Sequence, residues 1–338
     1  MDGKHKQAGA GPRVRGVWRS MVPVGVATTI ALGIAGFVDL VHAHQSSDDD
    51  QHAAKPAAER QRTEPRRFVG VQRDGAALVV RDVRTGGAVG VPVAAPAGRR
   101  FQRVASSGDG KYVVASYASR RVTFQRLDLD KEGRPERLAD IPRAAVPGVS
   151  AAWSEMAVHP DGDRIAYVTY RGMTPQVQVV STKTGQRKMW RTASPARVAS
   201  LSWAGDTLNF LWTPVRAGAT KTATQMRALD TRGQTGDLRA STPVLKLPAG
   251  TGAALSSRDG RTVVAGLAAR GQLSLQTYTV QTRQPGKVLW KQSGATSRLL
   301  RIVRDHTGKH LLAFGADGRL YADGARPLQA ADLIDVAW

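Results

Sequence analysis

Three carboxylates, Glu155, Asp305 and Asp335, are the residues of this 338-residue chain best suited to hold a divalent ion. An ion so held could activate a water for hydrolysis. They share no neighbouring residues and no repeated spacing, so nothing in the sequence binds them into one set. Two histidine motifs compete with them. His159-Pro160-Asp161-Gly162 offers an imidazole and a carboxylate, and His306 and His310 flank a related turn. Asp and Gly are what a tight turn demands of the backbone, so His159-Pro160-Asp161-Gly162 reads as a turn variant and the other two histidines as surface. His44, Asp48-Asp49-Asp50 and His52 form a third cluster, but on a polar stretch without fixed geometry it reads as a solvated spacer. His-Glu-x-x-His, Gly-x-Ser-x-Gly and the phosphate-cradling Gly loop are all absent. With no cysteine there is no thiolate site, Cys nucleophile or lipidated N-terminal Cys. No catalytic residue, cofactor or metal ligand is therefore assigned.

The elements that must position these residues are written in a repeat. Five times a small polar turn carrying Gly precedes a short apolar strand: Ser107 to Lys111 before Tyr112, Pro160-Asp161-Gly162 before Ile165, Ala204-Gly205-Asp206 before Leu208, Arg258-Asp259-Gly260 before Val263, and His306-Thr307-Gly308 before Leu311. Successive spacings are 52, 45, 53 and 48 residues, the period of a repeated sheet unit in a β-propeller. Each unit reads as four strands, with an apolar strand before the turn and two after it. The first unit, from Phe68 to Gly87, lacks its innermost strand. The chain's last residues, Leu333 to Trp338, resemble the first strand Val198 to Trp203 and can supply it. Closing the ring with strands from both ends removes two exposed sheet edges. The expected fold is all-β, a six-bladed propeller over residues 66–338, closed by the C-terminal strand and preceded by one N-terminal transmembrane helix.

The repeat resembles the TolB-type, WD40-like propeller repeats of bacteria, in which Trp-Ser-Pro-Asp-Gly opens the second strand. Trp203 sits at the Trp position, His159-Pro160-Asp161-Gly162 keeps Pro-Asp-Gly, and the last unit has lost the Asp. The resemblance implies protein–protein scaffolding at an envelope and no catalytic set. The tryptophans Trp153, Trp190, Trp203, Trp212, Trp290 and Trp338 fall mostly on strands, where blade packing is their ordinary use.

Location is written at the N-terminus. Lys4, Lys6, Arg13, Arg15 and Arg19 precede an uncharged run from Met21 to Val38, close to the length of a spanning helix. The basic side should stay in the cytoplasm and the propeller lie outside. Residues 1–19 then form a short cytoplasmic tail, 20–43 the anchor, and 44–65 a tether too poor in apolar residues to fold. Val41-His42-Ala43 leaves open a cleaved signal, which would release the ring after Ala43.

The formal charge is +22, and 41 of the 49 basic residues lie in the ring against 20 of the 27 acidic ones. Such a field attracts polyanions. Arg99, Arg100, Arg120, Arg121, Arg187 and Lys188 are the candidate basic binding face. The expected partners are an envelope protein or an anionic wall or lipid component, although an Arg-rich composition can also leave charges that bind nothing. Nucleic acid suits the charge but neither the compartment nor the scarcity of stacking aromatics. The expected function is a membrane-anchored binding scaffold. The alternative is a propeller-type hydrolase or lactonase with a divalent metal in its central channel.

Overall fold

The computed structural model describes residues 65–108, 110–215, 223–293, 297–322 and 326–338. The tail 1–19, the apolar segment 20–43, the tether except its last residue, and Asp109 of the first turn lie outside them. Among the described residues no helix is long and apolar enough to cross a membrane.

The described chain forms a six-bladed β-propeller. The first blade holds β1 (Arg67–Gln72), β2 (Ala77–Asp82) and β3 (Val93–Ala94). The second holds β4 (Arg100–Gly108), β5 (Lys111–Ala118), β6 (Arg121–Leu129) and β7 (Pro135–Pro147). The third runs β8 (Met156–Val158), β9 (Arg164–Arg171), β10 (Thr174–Ser181) and β11 (Arg187–Arg191). The fourth is built from β12 (Ala196–Ala204), β13 (Thr207–Pro214), β14 (Gln225–Asp230) and β16 (Thr242–Lys246), with β15 (Gly236–Asp237) leaving it. The fifth has β17 (Thr251–Ser256), β18 (Thr262–Ala269), β19 (Gln272–Thr279) and β20 (Pro285–Ser293). The sixth has β21 (Leu299–Arg304), β22 (Leu311–Gly315), β23 (Arg319–Ala322) and β24 (Leu328–Gln329). The final strand, β25 (Leu333–Ala337), pairs antiparallel with β1 and completes the first blade, Gly70 facing Val336. Each innermost strand packs on the next around the ring, through β25, β4, β8, β12, β17, β21 and back to β25.

The middle strands are apolar on both sides because each blade lies between two others. Successive side chains of a strand point to opposite faces. On β5, Tyr112 and Val114 enter the core shared with the first blade, and Val113 and Ala115 the core shared with the third. Six buried clusters result, each made by one pair of neighbouring blades. The turns between first and second strands define one face of the ring, the hairpin face. Their glycines carry the left-handed conformation that the sequence pattern requires, with φ of +71° at Gly162, +72° at Gly260 and +80° at Gly308. The opposite, crossover face carries the connections from each blade to the next.

Two features were absent from the sequence pattern. The strand β7 is far longer than the short fourth strand the repeat suggests, and its register jumps from Thr123↔Ala145 to Gln125↔Asp140. The two-residue β15 leaves its own blade and pairs parallel with β11, Trp190 opposite Gly236 and Arg191 opposite Asp237. It covers an outer edge that would otherwise present unpaired backbone groups. Lys188 Nζ donates to the carbonyls of Thr231 (3.1 Å), Arg232 (2.8 Å) and Gly233 (3.2 Å), and Trp190 Nε1 to that of Gln234 (3.0 Å).

Candidate binding channel

The innermost strands run side by side in one direction, and their channel-facing edges have no strand partner. A buried backbone N–H or C=O without a partner is costly, so side chains of one strand bond the backbone of another. Asp335 Oδ2 accepts from Val104 N (2.8 Å), Ser200 Oγ from Ala254 N (3.1 Å) and Ser202 Oγ from Ser256 N (3.2 Å). Arg304 Nη2 donates to Ser256 O at 2.7 Å. Ser200 reaches its partner from a bulge in β12, at a φ of +55°.

At the centre Arg301 gathers two carboxylates from other blades. Its Nη1 lies 3.2 Å from Glu155 Oε2 and 3.1 Å from Asp335 Oδ1, and its Nη2 donates to Val104 O at 3.1 Å. Arg103 is buried beside them and donates to the carbonyls of Ser154, Gln102 and Ala152. Burial opposes the Arg103 charge, but Asp335 and Glu155 outweigh it and hold that guanidinium above its ordinary pKa. Burial also lifts the Glu155 carboxyl above its usual range, and Arg301 and Arg103 only partly offset this.

A cavity of about 470 Å³ opens from this cluster toward the hairpin face. Glu155 and Arg301 line its inner end, Trp203 and Trp338 its wall, and Asp161 and Arg258 its rim. Two buried donors in the lining, Arg301 Nε and Trp338 Nε1, make no hydrogen bond among the described residues. Burial, with the neighbouring Arg258, brings Arg304 down to about 10.

The three carboxylates proposed from sequence are thus divided. Glu155 and Asp335 share Arg301, a neighbour that their separation in the chain hid. Asp305 is the cap of its own hairpin turn, its Oδ1 accepting from His310 N (3.0 Å) and its Oδ2 from the Thr307 hydroxyl. Asp161 and Asp163 converge on His159, with Nδ1 3.5 Å and 3.3 Å from their oxygens. An Arg164 guanidinium nitrogen lies 2.8 Å from Nε2, and the Asp161 amide donates to Nδ1 at 3.3 Å, so both ring nitrogens are engaged within the turn. His159 is buried against Trp203, with ring centroids 5.2 Å apart, inside its own hairpin turn.

The six candidate basic residues fall on two faces. Arg99, Arg100, Arg120 and Arg121 collect at the crossover end of the second blade, Arg99 held by Asp140 (3.2 Å) and Thr123 (3.1 Å). Arg187 and Lys188 begin β11 toward the hairpin face, where the ammonium of Lys188 is engaged with β15's connection. Sequence reasoning passed over Arg103 because nothing but its place within an otherwise apolar inner strand sets it apart from the many exposed arginines.

No family of known proteins matches this chain, and no characterised protein matches it in sequence. Solved structures match its shape. A chain of a nidogen–laminin complex is 10% identical, covering 80% of this chain and 97% of that one, with a TM-score of 0.53. TolB from Acinetobacter baumannii is 16% identical with a TM-score of 0.48. The match covers 80% of this chain and 66% of TolB, just under two thirds of its length. A 6-phosphogluconolactonase-like protein from Bacteroides uniformis is 12% identical over 80% of this chain and 98% of its own, with a TM-score of 0.46. At these identities the likeness is one of fold.

Proposed function

We propose that the protein is a non-catalytic binding scaffold of the cell envelope. On this reading residues 20–43 anchor it with the N-terminus inside, and a face of the external ring holds a protein or an acidic wall component. One observation carries the non-catalytic part: the channel carboxylates are spent on the fold. Glu155 and Asp335 meet a single guanidinium, Asp335 also accepts from the Val104 amide, and Asp305 closes its own turn. A hydrolase using a divalent ion needs carboxylates free to face it, and Arg301 stands where such an ion would have to sit. The anchor rests on the charge and length of the N-terminal run, and the partner class on the net positive charge of the ring.

Fractionation of cells expressing the full-length chain tests the location. The scaffold reading expects it in the membrane fraction after alkaline wash, with the ring open to protease added outside. Recovery in the cytosol sinks the envelope assignment. Metal analysis of the purified chain tests the chemistry. A stoichiometric divalent ion that disappears in Asp335→Asn would overturn the non-catalytic reading in favour of the hydrolase.

A further inference from the structure

The cavity at the hairpin end of the channel is lined by more donors than acceptors. Arg304, at the end of β21, donates across to Ser256 O at the end of β17, at 2.7 Å. Arg258, on the turn after β17, donates back to His306 O on the turn after β21. The two side chains thus cross between the fifth and sixth blades, and both line the same cavity. Among the described residues each has that one carbonyl and no ion pair. A guanidinium carries five N–H donors, so most of those on each arginine have no acceptor in the protein. Other donors lie on the same lining. Ser202, 4% exposed, accepts from Ser256 N through its Oγ, and its own hydroxyl proton meets no acceptor among the described residues. The indole N–H of Trp338, 6% exposed, and the Nε of Arg301 are unpartnered in the same sense. A buried donor without an acceptor is costly, and a group that brings acceptors relieves it.

The carboxylates of the lining are already engaged. Glu155 is held by Arg301, Asp305 takes the Thr307 hydroxyl and His310 N of its own turn, and Asp161 lies against His159 at the rim. The lowering of Arg304 to about 10, by burial and then by Arg258, agrees with this, because Asp259 and Asp305 do not make up for those two effects. Guanidiniums suit the oxygens of a carboxylate or phosphate. The volume of about 470 Å³ lies within the range of about 300–1,000 Å³ that holds a small organic molecule, and far above the share of about 30 Å³ taken by one water. Leu201, Leu255 and Ile302 set apolar wall beside the donors.

We infer that this cavity binds a small organic oxyanion, a carboxylate or a phosphate ester, with its charged group on Arg304 and Arg258 and its body toward Ser202 and Trp338. The site goes beyond the scaffold reading and does not rest on it, since the residues that form it are the same wherever the chain resides.

Calorimetric titration of the purified full-length chain at constant ionic strength tests it, with citrate, glucose 6-phosphate, inorganic phosphate and neutral glucose as probes. Citrate or glucose 6-phosphate should bind once per chain, glucose should not bind, and inorganic phosphate should bind more weakly than the organic anion. Arg304→Gln should weaken that binding about 10–100-fold, the effect of losing hydrogen bonds to a charged group. Arg258→Gln, on an exposed turn, should weaken it about 2–5-fold, as an exposed charge contributes, and keeps the test decisive if Arg304→Gln fails to fold. Arg126→Gln, exposed on β6 and outside the cavity, should change nothing. Binding of neither organic anion overturns the proposal, as does binding that Arg304→Gln and Arg258→Gln leave unchanged. Many weak sites, or an equal loss in Arg126→Gln, would assign the anion to the general positive charge of the ring and overturn it too. Inorganic phosphate bound as tightly as the organic anion overturns the organic assignment.

Discussion

Arg301 ties three other blades together at the ring's centre, because the Glu155 and Asp335 carboxylates and the Val104 carbonyl end on it. Replacing it with Met removes the one ion-pair partner that Glu155 and Asp335 share and leaves Arg103 as the nearest cation. Breaking a buried pair in this way costs about 3–5 kcal/mol. Urea unfolding of Arg301→Met should show that loss, and the double variant Arg301→Met with Glu155→Gln should recover part of it. A loss no greater than that of an exposed arginine would contradict the arrangement. The tyrosines make a second prediction. Burial raises the phenols of Tyr112, Tyr167, Tyr170 and Tyr321 to about 12, from an ordinary value of 10.0. A raised folded-state pKa contributes stability that is complete below pH 10 and is lost as pH rises from 10 through 12. Ultraviolet titration should therefore find four of the six tyrosines un-ionised at pH 11 unless the protein has unfolded, and alkaline unfolding should accompany their ionisation. Six phenols ionising together near pH 10 in the folded ring would refute this. At this scale the sequence was a partial guide. Glu155 and Asp335 could be picked out as polar residues beside innermost strands, but their common partner lies on another blade. Asp305 looked the same in sequence and is a turn cap, a distinction made only by where His310 N and Thr307 fall.

Among the elements, the Asp-Gly turns were the most legible, since a left-handed backbone selects Gly whatever its surroundings. The apolar runs after them were legible for a related reason: a strand buried on both faces cannot alternate. The strand β15 could not be read this way. Gly236 and Asp237 are a polar pair in a loop, and their pairing with β11 depends on a neighbouring blade's edge. Lys188 is the residue that tests this pairing. Three carbonyls of the connection converge on its ammonium, so Lys188→Met should destabilise by about 1–3 kcal/mol, as hydrogen bonds to a charged group do. Arg187→Met, one residue away and exposed, should change stability by less than about 0.5 kcal/mol. Thermal melts of the two variants compare them directly, and equal effects would deny β15's connection its hold on the third blade.

For the molecule as a whole, the closing strand is decisive. Val336 is fully buried in the core between the first and last blades, with Leu333 and Trp338 beside it, and Ala337 enters the core on the other side. Removing residues 333–338 uncovers β1, opens two interblade cores and takes Asp335 from Arg301. The truncated chain should lose its cooperative melt and aggregate, as circular dichroism and size exclusion would report, and a truncated chain melting like the full one would refute closure. The six-fold count was readable because the first unit visibly lacked a strand and the last residues visibly had one to give. The third blade raises a different matter, one of modularity. Its outer edge is finished by residues 231–237, which follow β14 of the fourth blade in the chain. A repeat cut at the obvious boundary, between β11 and β12, would therefore separate the third blade from its own rim. Any circular permutant or split-protein pair should place its break elsewhere, and a transplanted third blade should carry that borrowed segment with it.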